Sequence, residues 1–233
     1  LRRQRQMCIR DRYSNAKDPV NANLFLVNAG QDFDLTDARQ VEVGLKADVA
    51  GGRSQLTAAW FDIERDDILE RFALDSATTI GGITSRGLEL TATARPVDQI
   101  RLGANIAWTD ATFTPSANFV QFAGNTPPNV PEVVTNLWGS VSEVGGAPIE
   151  LGGEVRLVGE RSANNANTIT MNRYTLVDAY LALGLGPARL TFFIENLTDT
   201  AYASWSDVFY LGQTDPGFIY SNQVMLGAPR TFS

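Results

Sequence analysis

The sequence predicts an all-β protein, an antiparallel transmembrane β-barrel, with about nine or ten strands in this chain. Three observations predict it. Polar and apolar residues alternate with a period of two in many segments, the pattern of a strand with two different faces. Several segments keep this alternation for about nine to twelve residues, the length that crosses a bilayer at a tilt. The connections between them are alternately short and long, as in outer-membrane barrels.

The alternation assigns residues to faces strand by strand. In a large barrel the charged face lines a wet lumen and the apolar face contacts lipid. The predicted apolar face comprises Val41, Val43, Leu45, Ala47 and Val49; Leu88, Leu90, Ala92 and Ala94; Ile100, Leu102, Ala104, Ile106 and Trp108; and Ile149, Leu151, Val155 and Leu157. Two strands are irregular. Trp60 and Phe61 are adjacent, so one of them faces inward or a β-bulge intervenes, and in VVTNLWGSVS, residues 133–142, both faces are mixed.

The connections define hairpins. Short turns join residues 41–50 to 53–66, 87–95 to 98–112, 132–144 to 148–160 and 174–185 to 188–197. Long connections, rich in Asn, Thr, Pro, Asp and Gly, occupy about 67–81, 113–131, 161–173 and 200–221. A soluble β-sandwich has loops of mixed length at both ends, so this regular alternation favours the barrel.

Aromatic residues cluster near the strand ends. One interpretation is an interfacial girdle, in which amphipathic rings lie at the depth of the lipid headgroups. The other is ordinary strand composition, because aromatic residues favour strands in any protein. The residues concerned are Trp108, Phe113, Phe192, Phe193, Tyr202 and Trp205.

The first twelve residues, LRRQRQMCIRDR, differ from all that follows. They contain five Arg, one Asp and Cys8, the only cysteine of the chain. The string resembles translated read-through of a sequencing adapter, so we expect residues 1–12 to be a non-native segment. The alternative is a basic arm for an acidic partner. Without this segment Lys plus Arg falls from 19 to 14 and Asp plus Glu from 26 to 25, so the net charge moves from −7 to −11.

Composition excludes several functions. The chain has 233 residues, 44% of them apolar, and a mean hydropathy of −0.11, which fits neither a disordered chain nor a helical membrane protein. Its negative charge repels nucleic acid, which is therefore not an expected partner. With no His and no Cys beyond residue 8, we predict no catalytic residue, no metal site and no cofactor. A soluble enzyme would depend on carboxylates such as Asp66 and Asp67, which are more simply charges at a loop edge.

Two stretches near the C-terminus carry a family resemblance. Residues 190–202 read LTFFIENLTDTAY, and residues 227–233 read GAPRTFS. Both resemble the C-terminal end of a TonB-dependent outer-membrane receptor, and SRGLELTATARP at 85–96 resembles a recurring strand of the same family. We treat the matching positions as structural motif residues: Asn196, Leu197, Asp199, Tyr202, Gly227, Pro229, Arg230 and Phe232.

The resemblance extends over residues 13–233 and implies the C-terminal portion of a barrel of about 22 strands, with the plug domain absent. It implies a protein of the bacterial outer membrane that imports a scarce nutrient, most often a ferric siderophore, with energy from TonB. The implied partners are outer-membrane lipid, the TonB complex through the missing plug region, and a siderophore or similar ligand. A passive porin-like or adhesin-type barrel is the alternative, but it gives no reason for the two C-terminal motifs.

Candidate ligand contacts come from the 200–221 connection. It contains five aromatic residues that could cover a planar or apolar ligand, or pack on one another: Trp205, Phe209, Tyr210, Phe218 and Tyr220. Arg95 and Arg101 could attract an anionic chelate from the lumen, or could pair with carboxylates of neighbouring strands.

Overall fold

The computed structural model describes residues 7–18, 36–66, 68–73, 76–79, 81–115, 120–208 and 222–233. Within these ranges ten strands form one antiparallel sheet, which confirms the predicted class and number of strands. In sheet order they are β1 (Met7–Asp18), β2 (Thr36–Val49), β3 (Ser54–Asp66), β6 (Ile83–Ala94), β7 (Ile100–Phe113), β8 (Val133–Ser142), β9 (Ile149–Val158), β12 (Tyr174–Leu185), β13 (Ala188–Glu195) and β16 (Thr231–Phe232).

Six further strands form three two-stranded ribbons inside the long connections. The ribbons are β4 (Leu69–Ala73) with β5 (Ser76–Thr79), β10 (Arg161–Ser162) with β11 (Thr170–Met171), and β14 (Ala203–Val208) with β15 (Asn222–Leu226). No helix among the described residues is long and apolar enough to cross a bilayer.

The predicted short turns lie together at one end of the sheet. They connect β2 to β3, β6 to β7, β8 to β9 and β12 to β13. The β8–β9 turn contains Gly145 (φ 63°) and Gly146 (φ 80°), a left-handed conformation that glycine adopts without steric cost. The long connections, with their three ribbons, lie at the opposite end, which we call the apical end.

One side of the sheet, the apolar face, carries exposed hydrophobic rows. Val43, Trp60, Leu88 and Trp108 are direct cross-strand neighbours on β2, β3, β6 and β7, and between 38% and 47% of each is exposed. Side chains this large and this exposed suit lipid rather than water. Nearer the apical end the same face turns charged: Arg86 pairs with Asp62 two residues beyond this row, and Arg39 with Glu64 four residues beyond it. This change marks one border of the apolar band.

The opposite side, the polar face, is hydrophilic along equivalent rows. Thr91, Asn105, Asn136 and Arg156 are successive cross-strand neighbours. Asn136 donates to Oδ1 of Asn105 (2.8 Å), and Arg156 donates to Oδ1 of Asn136 (3.2 Å). Hydrogen-bonded amides and guanidinium groups on this side fit a face that lines a lumen.

The adjacent pair Trp60 and Phe61 is accommodated without a bulge. The register of β3 with both neighbours is continuous through this pair, so Trp60 lies on the apolar face and Phe61 on the polar face. Phe61 lies over Gly87, its direct partner, where a Cβ would be only 2.5 Å from the ring. Of the two alternatives, an inward-facing ring or a β-bulge, the structure has the first, with Phe61 facing inward.

Only some of the residues proposed for an aromatic girdle lie on the apolar face. Trp108 and Phe192 do, and Trp60 joins them. Phe113 is instead 6% exposed and packs with Phe122, Ile68, Ile83 and Ala166 in a small apolar cluster at the apical end. Phe113 departs from the expectation because its position in β7 places it on the polar face, beneath the long connections.

The N-terminal strand includes part of the segment that we expect to be non-native. Residues 7–12 belong to β1, which pairs with β2 along its whole length, while residues 1–6 lie outside the described part of the chain. The register places Asp11 opposite Val43, in the row of the apolar face that contains Trp60. A carboxylate is unfavourable in a lipid-facing row. The non-native origin of residues 1–12 stays a prediction, and this position supports it.

Candidate functional site

The two C-terminal motifs meet in space, at the point where β13 leaves the sheet. Asn196 follows the last residue of β13, is 4% exposed, and has a left-handed backbone with φ 51°, a conformation that Asn tolerates better than most residues. Its Nδ2 donates to the carbonyls of Thr200 and Ala228, both at 3.0 Å, and its Oδ1 accepts from the Thr200 amide at 2.9 Å. One side chain thus closes the turn after β13 and holds the segment before β16.

Asn196 is also fixed from the sheet side. Its backbone amide donates to Oδ1 of Asp178 (2.7 Å), and the Leu197 amide donates to the carbonyl of Val177 (2.7 Å). Both acceptors lie on β12, so the end of β13 is anchored to its neighbour before the chain turns away.

Two further contacts join the motifs. Asp199 accepts from the Arg230 amide at 3.0 Å, and the Arg230 guanidinium lies 3.7 Å from its other oxygen. Tyr202 accepts from the Gly227 amide at 2.9 Å, and its ring covers Gly227 so closely that a Cβ there would lie 1.9 Å from it. We call these five residues, Asn196, Asp199, Tyr202, Gly227 and Arg230, the motif lock.

Three of the predicted motif residues are not part of these contacts. Leu197 and Phe232 are 38% and 70% exposed, and Phe232 pairs with Ile194 in the sheet. Pro229 accepts a hydrogen bond only from the nearby Thr231 hydroxyl (3.0 Å) among the contacts of the described residues.

At the apical end, three segments are joined by amide side chains. We call them together the apical unit: residues 120–131, 161–173 and 203–206. Asn129 donates to the Ser206 carbonyl (2.7 Å) and accepts from the Ser206 amide (2.8 Å), across 77 positions of sequence. The Asn129 amide also donates to the Ser162 carbonyl (2.9 Å). A single residue therefore contacts both of the other segments.

Asn167 makes a second reciprocal contact of the same kind. It accepts from the Thr126 amide (2.9 Å) and donates to the Thr126 carbonyl (2.8 Å). In both cases an Asn side chain donates one hydrogen bond to a backbone carbonyl and accepts one from the amide of the same residue, as a neighbouring strand would. Loops that share no sheet therefore still satisfy each other's backbone groups.

A buried arginine connects the apical unit to the motif lock. Arg161 is 7% exposed, donates to the carbonyls of Ala203 and Ser204, and lies 5.3 Å from the centre of the Tyr174 ring. Its Nε is buried without a hydrogen-bond partner, and it has no carboxylate partner among the described residues. Tyr174 in turn lies 4.5 Å from the ring of Tyr202 in the motif lock.

The sequence signals for these contacts were incomplete. The Asn-rich stretch RSANNANT, which starts at Arg161, predicts a loop. It does not reveal the partners of Arg161 or Asn167, because these lie in segments about 40 positions away. No motif or periodicity in the sequence marks Asn129.

Of the predicted ligand contacts, Trp205 is the one whose structure is described. It lies on β14 opposite Met225 and is 53% exposed, while the next residue, Ser206, is 2% exposed. Strand alternation thus points Trp205 away from the rest of the apical unit. The other four residues, Phe209, Tyr210, Phe218 and Tyr220, lie outside the described residues. Ligand contact by these five residues stays a prediction.

The polar face has a feature that the sequence did not reveal: aromatic side chains that cover glycines on the next strand. The pairs are Phe61 over Gly87, Trp138 over Gly103 and Tyr180 over Gly152, each in direct register. Rings in this arrangement cover backbone that glycine would leave exposed.

Trp138 and Tyr180 line a cavity of about 450 Å³ on the polar face, together with Arg101 and several carboxylates. One of these, Glu150, accepts from the Tyr180 hydroxyl and from the Arg189 guanidinium, both at 2.8 Å.

The two arginines considered for an anionic ligand have different surroundings. Arg101 has no ion pair with any described residue, whereas Arg95 lies at a short turn and donates a hydrogen bond to the Asp98 carbonyl (3.1 Å). Arg95 thus has a structural role at the turn, whereas Arg101 lines the cavity without an ion-pair partner among the described residues. The described residues contain no group of three or more potential metal ligands.

Comparison with known proteins agrees with this architecture. The family model described as "TonB dependent receptor-like, beta-barrel" matches residues 9–197. The ferrioxamine B receptor of Salmonella typhimurium is 30% identical over 200 residues, which are 82% of this chain and 28% of that protein. The ferrichrome outer membrane transporter/phage receptor of Escherichia coli K12 is 26% identical over 184 residues, 75% of this chain and 24% of that protein. The chain thus spans about a quarter of the length of these relatives.

Solved structures show the same fold. The siderophore receptor PiuA from Acinetobacter baumannii superimposes with a TM-score of 0.77 at 21% identity, over 97% of this chain and 33% of that one. The ferric yersiniabactin uptake receptor FyuA from Yersinia pestis gives 0.76 at 19% identity, with the same coverage. The family consists of transport receptors rather than enzymes. With the family model matching most of its length, this chain belongs to the TonB-dependent receptor family and forms part of its β-barrel.

Proposed function

We propose that this chain forms part of the barrel wall and extracellular rim of a receptor that imports a ferric siderophore with energy from TonB. The chain lies in the bacterial outer membrane, with lipid against the apolar face. The observation that carries the proposal is the 30% identity with the ferrioxamine B receptor along 82% of the chain. The proposal includes no enzymatic activity.

The proposed cargo is a class rather than one compound. The relatives are named as receptors or transporters of ferrioxamine B, of ferrichrome and of metal-pseudopaline. The structural neighbours include receptors named for siderophores of other kinds, at identities that support the fold alone. Ferrioxamine B and ferrichrome are siderophores, so we propose a ferric siderophore as cargo.

The apical end is the proposed ligand side. Trp205 offers a half-exposed ring there, and the aromatic residues that follow it in sequence would extend the same surface: Phe209, Tyr210, Phe218 and Tyr220. The polar face below would line the path of the cargo, with Arg101, which lines the cavity there, as the cation for an anionic chelate. Coupling to TonB would depend on a plug region outside this chain.

The test is uptake of radioactive iron as ferrioxamine B by cells that lack their own siderophore receptors and express the complete receptor gene. We expect uptake that disappears when tonB is deleted. Uptake that persists at the same rate without TonB would favour the passive porin-like barrel. No uptake of ferrioxamine B or of ferrichrome would contradict a siderophore as cargo.

A further inference from the structure

We propose that the apical unit opens and closes as one body, and that Arg161 is the positioning residue that holds the Trp205-bearing ribbon against it. The unit comprises residues 120–131, 161–173 and 203–206, which belong to three different long connections. As far as it concerns ligand binding, this inference rests on the proposed function. Its structural part stands without a ligand.

Hydrogen bonds connect all three segments of the apical unit. Asn129 reaches Ser206 through its side chain and Ser162 through its backbone amide. Asn167 reaches Thr126 through two hydrogen bonds. Each contact therefore satisfies backbone groups of one segment with a side chain of another. Ser206, whose backbone Asn129 binds, is buried at 2% exposed, whereas the contact between Asn167 and Thr126 is exposed. Moving one segment alone would leave these groups without partners, whereas moving all three together would leave every contact intact.

The apolar cluster strengthens this coupling from below. Phe113 and Phe122 are 6% and 7% exposed and pack with Ile68, Ile83 and Ala166. These residues come from the ends of β6 and β7 and from three long connections. The unit thus has a small hydrophobic base of its own, which is the usual condition for cooperative opening.

Arg161 carries a buried charge at the contact between two of the segments. Its guanidinium is removed from water, yet its contacts within the described residues are two carbonyls and one aromatic ring. A buried cation is costly unless its donors are satisfied. If β14 moved away while residues 161–173 stayed, Arg161 would lose the carbonyls of Ala203 and Ser204 at once. The cost of leaving the buried guanidinium without these acceptors therefore opposes separation of the two segments.

The two carbonyls that Arg161 binds lie next to a proposed ligand contact. They belong to the two residues directly before Trp205. Arg161 thus sets the start of β14 and, through it, the direction of the Trp205 ring. It need not touch the ligand to influence binding.

The experiment is hydrogen–deuterium exchange of the complete receptor in detergent, without ligand, for the wild type and for Arg161→Met and Asn129→Ala. We expect each substitution to raise exchange by about tenfold in all three segments of the apical unit, because each removes partners of buried groups. Amides in the middle of β6 and β7, residues 86–92 and 102–108, serve as an internal reference and should not change. The matched control is Arg156→Met, an arginine of the polar face outside the unit, which should leave the unit at wild-type exchange.

An increase confined to 203–206 in Arg161→Met, or to one segment in Asn129→Ala, would overturn the proposal. The two substitutions lie in different segments of the apical unit, so the exchange pattern of one well-folded variant is sufficient to test the proposal. Because no ligand is present, this result is independent of the uptake experiment. Failure of uptake with both ferrioxamine B and ferrichrome would refute the proposed function and leave the exchange pattern unaffected.

Discussion

Arg230 donates its backbone amide to Oδ1 of Asp199, and its guanidinium lies 3.7 Å from the other oxygen of the same carboxylate. The two residues are 31 positions apart, in the two C-terminal motifs that suggested the family. Their contact gives the motifs a physical meaning, because the residues after β13 and before β16 hold each other in place. The last strand of the sheet is therefore positioned by side chains as well as by its own short ladder.

Asn196 should be the most sensitive residue of the motif lock. Replacing it with Ala removes two donated hydrogen bonds and leaves the Thr200 amide without its acceptor. We expect a loss of about 2–4 kcal/mol in the unfolding free energy of the complete receptor, measured by urea titration in detergent. Asn196→Gly is the matched control for the left-handed backbone, and it should recover the part of the loss caused by φ alone. Equal stability of wild type and Asn196→Ala would refute this role.

Asp199 should contribute mainly as a hydrogen-bond acceptor. Both partners of its ion pair are about half exposed, and exposed pairs contribute about 0–1 kcal/mol. Asp199→Asn keeps an acceptor for the Arg230 amide, so we expect it to be nearly neutral, whereas Asp199→Ala should cost about 1 kcal/mol. The same urea titration compares the two. A large loss in Asp199→Asn would mean that the charge, rather than the acceptor, matters.

The glycines under aromatic rings should not tolerate a side chain. A Cβ at Gly103 would lie 2.1 Å from the Trp138 ring, so the ring must move or the strands must separate. We expect Gly103→Ala to destabilise the receptor by about 1–3 kcal/mol. In a Trp138→Ala background the same change should cost much less, since the obstructing ring is gone. An identical cost in both backgrounds would show that the ring is not the cause.

The isolated 233-residue chain should not form a heat-modifiable barrel. Within the described residues, 188–192 of β13 pair on one side only, and β1 has β2 as its one neighbour. Unpaired strand edges are not tolerated in lipid. After refolding in detergent, boiled and unboiled samples should migrate equally on a gel. Faster migration of the unboiled sample would contradict this expectation.

Much of the sheet was predictable because strand alternation is a local property. The predicted hairpin of 174–185 and 188–197 corresponds to Tyr174–Leu185 and Ala188–Glu195 in the structure. The sequence predicts no strand over β1, whose first half lies within residues 1–12, which we expect to be non-native. The side chain that fills the space over Gly103 could not be predicted either, since it depends on the register between β7 and β8.

The candidate site was predicted only in part. The motif residues were identified by resemblance, but their mutual contacts depend on how the chain returns to the sheet after residues 200–221. The pairing of Asn129 with Ser206 spans 77 positions, and no periodicity or composition signal connects two such residues. Tertiary packing of the loops determined these contacts, and sequence patterns report only that loops are present.

The central claim is that one face of this sheet contacts lipid and the other does not. Leu90 and Thr91 are adjacent on β6 and lie on opposite faces. In the complete receptor, with a fluorophore attached to a cysteine at either position, quenching by lipids brominated on their acyl chains reports direct lipid contact. We expect strong quenching at position 90 and almost none at position 91. Equal quenching at both positions, or quenching only at 91, would contradict the assignment of this chain to a membrane barrel wall.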